Sequence, residues 1–302
     1  MQGALARACQ CHASTMIDNL IAHNREIIPL GQAHLSPGQA GLLLGWGVFT
    51  TLRLYRGAPF EFERHWERMA RDAARLRMGL GVESSDVLSL IADLARRNQR
   101  EEGMARVSFV RNTGGSWAYP GERPPVDLLI FTQSPPSWPE SYRLQIQPGA
   151  VFSAGVLAGA KMLSWASNSS IMERVRAEGF DDGLLLNEHG QLTECTSANL
   201  FLVEGGVAST PPLTSGCLPG VTREILLSVG PRAGIPVVEK ELTTASLDRA
   251  EEVFISSTTR EVGGVHEIDQ RWKYSSPGKV TRAAAAVFKQ YVEESLKSTG
   301  KP

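Results

Sequence analysis

Short apolar segments typical of strands alternate irregularly with amphipathic segments typical of helices, and this irregularity limits the folds open to the chain. Residues 60–78 are predicted to form a helix, because Phe62, Trp66 and Met69 recur at three- to four-residue steps. Residues 87–97 predict a second helix, whereas residues 16–35 alternate apolar and polar side chains as a β-hairpin does. No regular strand–helix–strand repeat follows. We therefore predict an α+β fold rather than a doubly wound parallel sheet.

The remaining elements are predicted from short apolar or β-branched runs and from helical periodicity. Strands are predicted at the end of residues 41–55 and at residues 105–111, 126–131, 142–152, 183–187, 192–193, 200–203, 236–238 and 252–256. Helices are predicted at residues 168–178, 221–230 and 281–296. Most strands therefore fall in the second half of the chain, where turns separate them.

The proline-rich run QSPPSWPES predicts an interdomain linker at residues 134–141. This boundary leaves a small N-terminal α/β domain at residues 16–133 and a larger C-terminal domain at residues 142–302, and 302 residues suffice for two domains. Residues 1–15 lack a sustained apolar core and predict a flexible extension rather than a signal peptide. Within that extension, Cys9 and Cys11 have no second cysteine or histidine pair with which to form a metal site.

The overall charge and the cysteines make several classes of function improbable. A formal net charge of −1 provides no global field that favours nucleic acid or an anionic membrane surface. No apolar run approaches the ~20 residues that a membrane-spanning helix needs. The four cysteines form no disulfide framework. We therefore predict a reduced, cytoplasmic protein.

The segment from Leu157 to Phe201 contains the residues that are most informative about chemistry. Lys161 is its single lysine and stands among small and apolar residues, so burial would lower its pKa and make it a candidate Schiff-base nucleophile. Glu194, in the polar turn TECTSAN, could face a cationic nitrogen. Together they suggest pyridoxal phosphate, with the lysine on the aldehyde carbon and the carboxylate on the ring nitrogen. Taken alone, Lys161 is more readily explained as an exposed lysine and Glu194 as a solvated turn residue.

Four motifs in a fixed order resemble those of the class IV aminotransferase family. They are Lys161, Glu194 in TECTSAN, the run GVTR at residues 220–223 and the run STT at residues 257–259. Each motif alone is weakly specific, whereas the four in this order and spacing are strongly specific. The resemblance spans residues 17–292. The family comprises the fold-type IV pyridoxal-phosphate enzymes, which are branched-chain aminotransferases, D-amino-acid aminotransferases and aminodeoxychorismate lyases.

The resemblance implies that pyridoxal 5'-phosphate lies between a small N-terminal α/β domain and a larger C-terminal domain with a barrel-like sheet. It also implies a homodimer, with Trp46 and the loop of residues 112–125 as candidates for closing the partner's site. Lys161 is the catalytic residue by this resemblance. The residues assigned to the cofactor are Arg68, Lys161, Glu194, Leu218, Gly220, Val221, Thr222 and Thr258. The residues assigned to the substrate are Thr259, Arg111 and Thr50.

Without the resemblance, several of these residues have simpler interpretations. Thr222 could be a helix N-cap, Thr258 a turn residue and Arg68 a solvated arginine. Arg111 could equally belong to a structural ion pair. In place of the aromatic hydroxyl that many relatives carry shortly after the lysine, this chain has Trp165, whose indole offers only an N–H donor.

The motifs leave two reactions open. Thr50 follows Phe49 where many aminotransferases have a glutamate, which favours the lyase branch of the family. The run STTREV at residues 257–262 is more similar to the aminotransferase branch. We expect transfer of an amino group from an amino acid to a 2-oxo acid. The alternative is cleavage of 4-amino-4-deoxychorismate to pyruvate and 4-aminobenzoate, and a non-catalytic binding module is the least consistent with the full set of residues.

Overall fold

The structure is a computed structural model that describes residues 16–114 and 124–299, with side chains up to Lys297. The extension at residues 1–15, with Cys9 and Cys11, and most of the loop at residues 112–125 lie outside the described residues. The helices are α1 (Ala40–Leu44), α2 (Phe62–Arg75), α3 (Ser84–Arg97), α4 (Ala166–Ala177), α5 (Val221–Val229), α6 (Thr244–Leu247) and α7 (Lys279–Thr299). Three short 3-10 segments lie at Leu30–Gln32, Leu213–Ser215 and Pro231–Ala233.

Residues 17–133 form a six-stranded antiparallel sheet. Its strands are β1 (Ile17–His23), β2 (Glu26–Pro29), β3 (Gly47–Tyr55), β4 (Ala58–Pro59), β5 (Gly103–Arg111) and β6 (Val126–Gln133). They are ordered β2-β1-β6-β5-β3-β4. Helix α2 packs on β3 and α3 packs on β1 and β6, so the apolar stripes of both helices cover one core.

The second sheet contains a closed ring of strands. Its strands are β7 (Ser141–Val151), β8 (Asp182–Asn187), β9 (Leu192–Cys195), β10 (Asn199–Glu204), β11 (Val207–Thr210), β12 (Val237–Glu239), β13 (Glu252–Ser257), β14 (Glu261–Ile268) and β15 (Trp272–Lys273). The chain of pairings runs β10-β13-β14-β7-β8-β9, and β9 pairs with β10 in turn. Six strands therefore close into a barrel, which confirms the expected barrel-like sheet. Strands β11 and β12 extend from β10, and β15 pairs with β14.

Alternation along β10 divides the apolar residues between the inside and the outside of this barrel. Leu200 and Leu202 belong to the cluster inside the barrel, whereas Phe201 and Val203 pack with α5 and α7 outside it. The Phe201 ring stacks on that of Phe254 with a centroid distance of 4.6 Å. Apolar side chains consequently fill the interior of the barrel. A ligand could bind only at the rim of the barrel.

The two sheets meet where the β3–β4 hairpin docks on the second half of the chain. Phe60 packs edge-to-face against Phe288 and Tyr291 of α7, with centroid distances of 6.0 and 6.2 Å. The Tyr55 hydroxyl donates to the Glu261 carboxylate at 2.7 Å. These contacts hold the sheets beside each other and define a cleft between them.

The predicted helices and strands are confirmed, but helices α1 and α6 and strands β4, β11, β14 and β15 were not predicted. Helix α1 occupies residues that were expected to form a loop, and β4 lies in the predicted turn. Strand β14 contains the pair Gly263-Gly264, which weakens any strand prediction from sequence. A Cβ atom at Gly263 would lie 2.5 Å from the Tyr142 ring, and one at Gly264 would lie 2.3 Å from the Ser276 hydroxyl. The glycines are therefore dictated by close packing against neighbours that are distant in sequence.

Within the described part of the chain, none of the helices combines the length and the apolar character needed to cross a membrane.

Candidate active site

A cavity of about 330 Å³ lies in the cleft between the two sheets. The N-terminal sheet and α2 contribute one wall, and the barrel rim contributes the other. The residues that line it are Phe49, Thr51, Arg68, Met104, Arg106, Pro136, Trp138, Lys161, Trp165, Glu194 to Asn199, Leu218, Gly220 to Thr222 and Ser256 to Thr259. Residues from all four sequence motifs thus line the same cavity.

Lys161 reaches this cavity from a short extended segment that is anchored in the N-terminal half of the chain. Its backbone N–H donates to Asp72 Oδ2 of α2 at 3.0 Å. Its backbone carbonyl accepts from the N–H of Phe49 in β3 at 3.1 Å. The Nζ atom lies 4.6 Å from the ring centroid of Phe49 and 4.6 Å from that of Trp165. Elements remote in sequence therefore position the amine between two aromatic rings.

The surroundings of Lys161 favour its neutral amine. Burial is the largest cause and lowers the pKa of Lys161 to about 7, with the charge of Arg68 acting in the same direction. Arg106 lowers this pKa further, whereas the carboxylates of Glu194 and Asp72 oppose the shift. A substantial share of the amine is consequently unprotonated and nucleophilic near neutral pH.

Glu194 lies where the barrel closes, because the single β9–β10 pairing joins Glu194 to Asn199. The Asn199 amide donates to Glu194 Oε2 at 3.2 Å and to the Leu218 carbonyl at 2.8 Å. Burial raises the pKa of Glu194 to about 7, although the Leu218 N–H and the charge of Lys161 favour its ionised form. A cation beside this carboxylate would compensate for the loss of solvation.

At Gly220, the loop before α5 packs closely against the TECTSAN segment that contains Glu194 and Asn199. A Cβ atom at Gly220 would lie 2.0 Å from Asn199 Oδ1, so a larger residue would push the two segments apart. Gly220 precedes the first turn of α5, which contains Val221 and Thr222. Because the first N–H groups of a helix have no partner within the helix, this turn can bind an anion.

Arg68 stands beside that helix terminus, and its guanidinium has no carboxylate within 4.0 Å among the described residues. It donates to the Pro219 carbonyl at 3.2 Å and to the Thr50 hydroxyl at 2.9 Å. Two more arginines in the described ranges are buried, Arg223 and Arg260, and each pairs with a carboxylate. Arg68 is therefore the buried arginine that is available for the charge of a ligand.

The end of β13 and the turn after it contribute hydroxyl groups to the opposite wall. The Ser256 hydroxyl is buried without a hydrogen-bond partner among the described residues. Ser256, Thr258 and Thr259 line the cavity. The indole N–H of Trp138 donates to the Thr259 carbonyl at 3.0 Å, so the predicted linker shapes the site as well as joining the two sheets.

One buried ion pair connects this turn to the turn that follows Glu194. The carboxylate of Asp182 accepts from the Thr196 N–H at 3.1 Å, from the Ser197 hydroxyl at 2.8 Å and from Arg260 Nη2 at 3.2 Å. Arg260 also donates to the Ser197 carbonyl at 3.2 Å, and its guanidinium lies 4.1 Å from the Trp138 ring centroid. Asp182 and Arg260 thereby fix the spacing of two walls of the cavity.

Two residues that were assigned to the substrate do not line the cavity. Arg111 lies over the Trp46 ring at 4.1 Å and donates to the Thr113 carbonyl at 2.6 Å. The hydroxyl of Thr50 points to α2, where it accepts from Arg68 and lies 2.7 Å from Nδ1 of His65. Thr259 and all of the residues assigned to the cofactor are among the lining residues. The fold therefore brings those residues together around one space.

Sequence reasoning missed Thr51 and Arg106, which are paired across β3 and β5 on the cavity side. The Arg106 guanidinium lies 3.7 Å from the Phe49 ring centroid and has no carboxylate within 4.0 Å among the described residues. An arginine in the middle of the apolar strand GMARVSFVR was the available signal. Arg111, at the end of the same strand, was assigned to the substrate instead.

Comparisons with known proteins find similarity along most of the chain. The family model described as amino-transferase class IV matches residues 47–268. The chain is 28% identical to a putative branched-chain-amino-acid aminotransferase of Methanocaldococcus jannaschii, over 88% of this chain and 94% of that one. It is 26% identical to the aminodeoxychorismate lyase of Bacillus subtilis, over 89% and 93% respectively. The fold matches the structure of the branched-chain amino acid aminotransferase from Escherichia coli at a TM-score of 0.83 and 24% identity, over 91% and 94% respectively.

The pKa shift of Lys161 predicts an unusual labelling profile. In the cofactor-free full chain, trace acetylation of Lys161 should rise with a midpoint near pH 7, because burial disfavours the ammonium. Lysines in ordinary surface positions titrate near pH 10.4 and serve as internal references. Mass spectrometry of the labelled peptides measures both sets. A Lys161 midpoint equal to that of the surface lysines would contradict the burial of its amine.

The ion pair of Asp182 predicts a large effect on stability. Asp182→Asn should lower the free energy of unfolding by about 3–5 kcal/mol, because Arg260 would remain buried without a counter-charge. Asp248→Asn is the matched control, since the pair of Asp248 with Arg271 is exposed and should contribute at most about 1 kcal/mol. Urea unfolding followed by circular dichroism distinguishes the two variants. Equal midpoints for both would show that the buried pair is dispensable.

Proposed function

Since this chain belongs to the class IV aminotransferase family, we propose that it uses pyridoxal 5'-phosphate to transfer an amino group from an amino acid to a 2-oxo acid. One observation carries the proposal. A lysine with its pKa lowered to about 7 shares a cavity with a buried carboxylate and with a buried arginine that has no carboxylate partner in the described part of the chain.

The donor set of the cavity fits the cofactor. Lys161 would hold the aldehyde, and Glu194 would face the ring nitrogen. The residues that would surround the phosphate are Arg68, Leu218, Gly220, Val221, Thr222 and Thr258. When bound, the cofactor supplies an electron sink that stabilises negative charge at the substrate α-carbon.

The proposed chemical step depends on the Lys161 amine. With its pKa near 7, this amine can accept the proton of the substrate α-carbon and later return it to a neighbouring carbon. The rings of Phe49 and Trp165 border Nζ and limit the access of water to it. Glu194 would keep the ring nitrogen protonated, since a buried carboxylate interacts strongly with an adjacent cation in a site that excludes water.

The substrate side of the cavity favours amino acids with an uncharged side chain. Arg106 is the lining arginine that remains for a substrate carboxylate once Arg68 is assigned to the phosphate. Met104, Pro136 and Trp138 add apolar surface near it. Aminodeoxychorismate carries two carboxylates, and the described lining offers no further arginine for the second one. This difference favours the aminotransferase.

The lyase remains the alternative, because Thr50 occupies the position where many relatives have a glutamate. The two reactions differ in their products. The aminotransferase requires a 2-oxo acid acceptor, whereas the lyase would release pyruvate and 4-aminobenzoate from aminodeoxychorismate without one. A homodimeric state and a cytoplasmic location stay predictions, and light scattering of the purified chain tests the first.

Substitution of Lys161 tests the proposed function directly. Lys161→Ala should abolish turnover and should yield no cofactor-labelled peptide after borohydride reduction, because no other described residue offers an amine in the cavity. Glu194→Gln should keep the labelled peptide and slow α-proton removal. Lys240→Ala, at an exposed position, is the control. Turnover by Lys161→Ala at the wild-type rate would refute the assignment.

The assignment of Arg106 predicts a selective loss of carboxylate binding. Arg106→Met should weaken binding of a saturated monocarboxylic acid to the holoenzyme about 10- to 100-fold, because one charge-assisted hydrogen bond is lost. Arg111→Met is the matched control, since Arg111 does not line the cavity. Titration followed by cofactor absorbance measures both affinities. If only Arg111→Met lost affinity for the acid, the substrate carboxylate would be assigned to Arg111, as the sequence predicted, and not to Arg106.

A further inference from the structure

A buried carboxylate beneath the cavity has no role in the function proposed so far. Asp72 lies in α2 with its side chain 1% exposed, on the buried side of the helix that also carries His65 and Arg68. Burial of a carboxylate has a large desolvation cost, so a buried carboxylate needs hydrogen-bond or ion-pair partners that compensate for it. The partners found here are Arg71, Arg75 and the backbone of Lys161.

The contacts of Asp72 tie α2 to the segment that carries Lys161. Asp72 Oδ2 accepts the Lys161 N–H at 3.0 Å, and Oδ1 accepts from Arg71 Nη2 at 2.9 Å. One helical turn later, Arg75 Nη2 donates to the carbonyls of Val156 and Ala158 at 3.0 and 2.8 Å. The C-terminal end of α2 is therefore hydrogen-bonded to the backbone of residues 156–161, the segment that leads to Lys161.

The same carboxylate balances the cations of the cavity floor. The charged groups that act on Lys161 are Arg68, Arg106, Glu194 and Asp72, and the neighbouring His65 is kept neutral by a pKa well below its usual value because of burial. Burial also lowers the pKa of Arg68, and Asp72 is the largest source of negative charge that opposes this shift. Asp72 differs from Glu194 in being hydrogen-bonded to the backbone of the lysine that it influences.

We propose that Asp72 is a positioning residue, which fixes Lys161 by accepting its backbone N–H and supplies the fixed negative charge beneath Lys161 and Arg68. This inference rests on the proposed function, because it takes Lys161 as the residue that holds the cofactor. Asp72 itself touches neither cofactor nor substrate. Its hydrogen bond and its charge are separable, and each has its own measurable consequence.

Two substitutions separate these contributions. Asp72→Asn keeps an oxygen acceptor for the Lys161 N–H but loses the charge, so the midpoint of Lys161 acetylation in the cofactor-free full chain should fall by about one pH unit. Cofactor affinity should change less than about threefold, because the backbone stays in place. Asp72→Ala loses both contributions, so the midpoint should fall and the affinity for pyridoxal 5'-phosphate should drop at least about 10-fold.

Asp127→Asn is the control for loss of a buried aspartate, since Asp127 is 2% exposed and lies outside the cavity lining. It should change neither the acetylation midpoint nor the cofactor affinity. If Asp72→Asn and Asp72→Ala fold, by circular dichroism, and retain the wild-type midpoint and affinity, the proposal is overturned. An equal shift in Asp127→Asn would overturn it as well, because the effect would then be unspecific.

If the Asp72 variants do not fold, a measurement on the wild-type protein tests the proposal instead. Hydrogen exchange of the peptide that contains residues 157–163 should show protection of the Lys161 N–H, since it is bonded to a buried carboxylate. Exchange at the rate of a free amide would overturn the proposal. If wild-type protein forms no borohydride-stable adduct at Lys161, the proposed function itself fails. An adduct in the wild type, together with a wild-type acetylation midpoint and cofactor affinity in both Asp72 variants, removes only the role of Asp72.

Discussion

The buried ion pair between Asp182 and Arg260 is the interaction on which the rest of the cavity depends. Asp182 belongs to β8 of the barrel, yet its carboxylate binds the turn after Glu194 and, through Arg260, the turn after β13. Both turns contribute lining residues to the cavity. Because neither charge can be left unpaired at full burial, the two turns cannot separate without exposing the pair to water or leaving one charge uncompensated.

Around that scaffold, the site is organised by charges that are removed from water. Burial brings the pKa values of both Lys161 and Glu194 to about 7, so an amine and a carboxyl group with very different ordinary values titrate in the same range. Arg68 and Arg106 add cations that have no carboxylate partner among the described residues. Asp72 is held between the backbone of Lys161 and the side chain of Arg71. A ligand with an anionic group and a ring cation complements this distribution.

Sequence reasoning found most of the elements and all of the lining residues assigned here to the cofactor, and its errors have specific physical causes. Thr50 and Thr51 are neighbours, but alternation along β3 turns Thr50 to α2 and Thr51 to the cavity. Arg111 was preferred to Arg106 because the sequence did not show which face of β5 meets the cleft. Trp138 was assigned to a linker, although its indole N–H binds the Thr259 carbonyl.

By itself, the sequence determined the α+β class, the family and the chemical types of the reactive groups, since periodicity, motif order and residue identity are local properties of the chain. Only the tertiary structure decided which groups face one another. The anchoring of Lys161 by Asp72 spans 89 positions and that of Arg260 by Asp182 spans 78. Contacts over such separations follow from strand register and from the closure of the barrel. Burial, and with it every shifted pKa, is a property of that assembled neighbourhood rather than of any single segment.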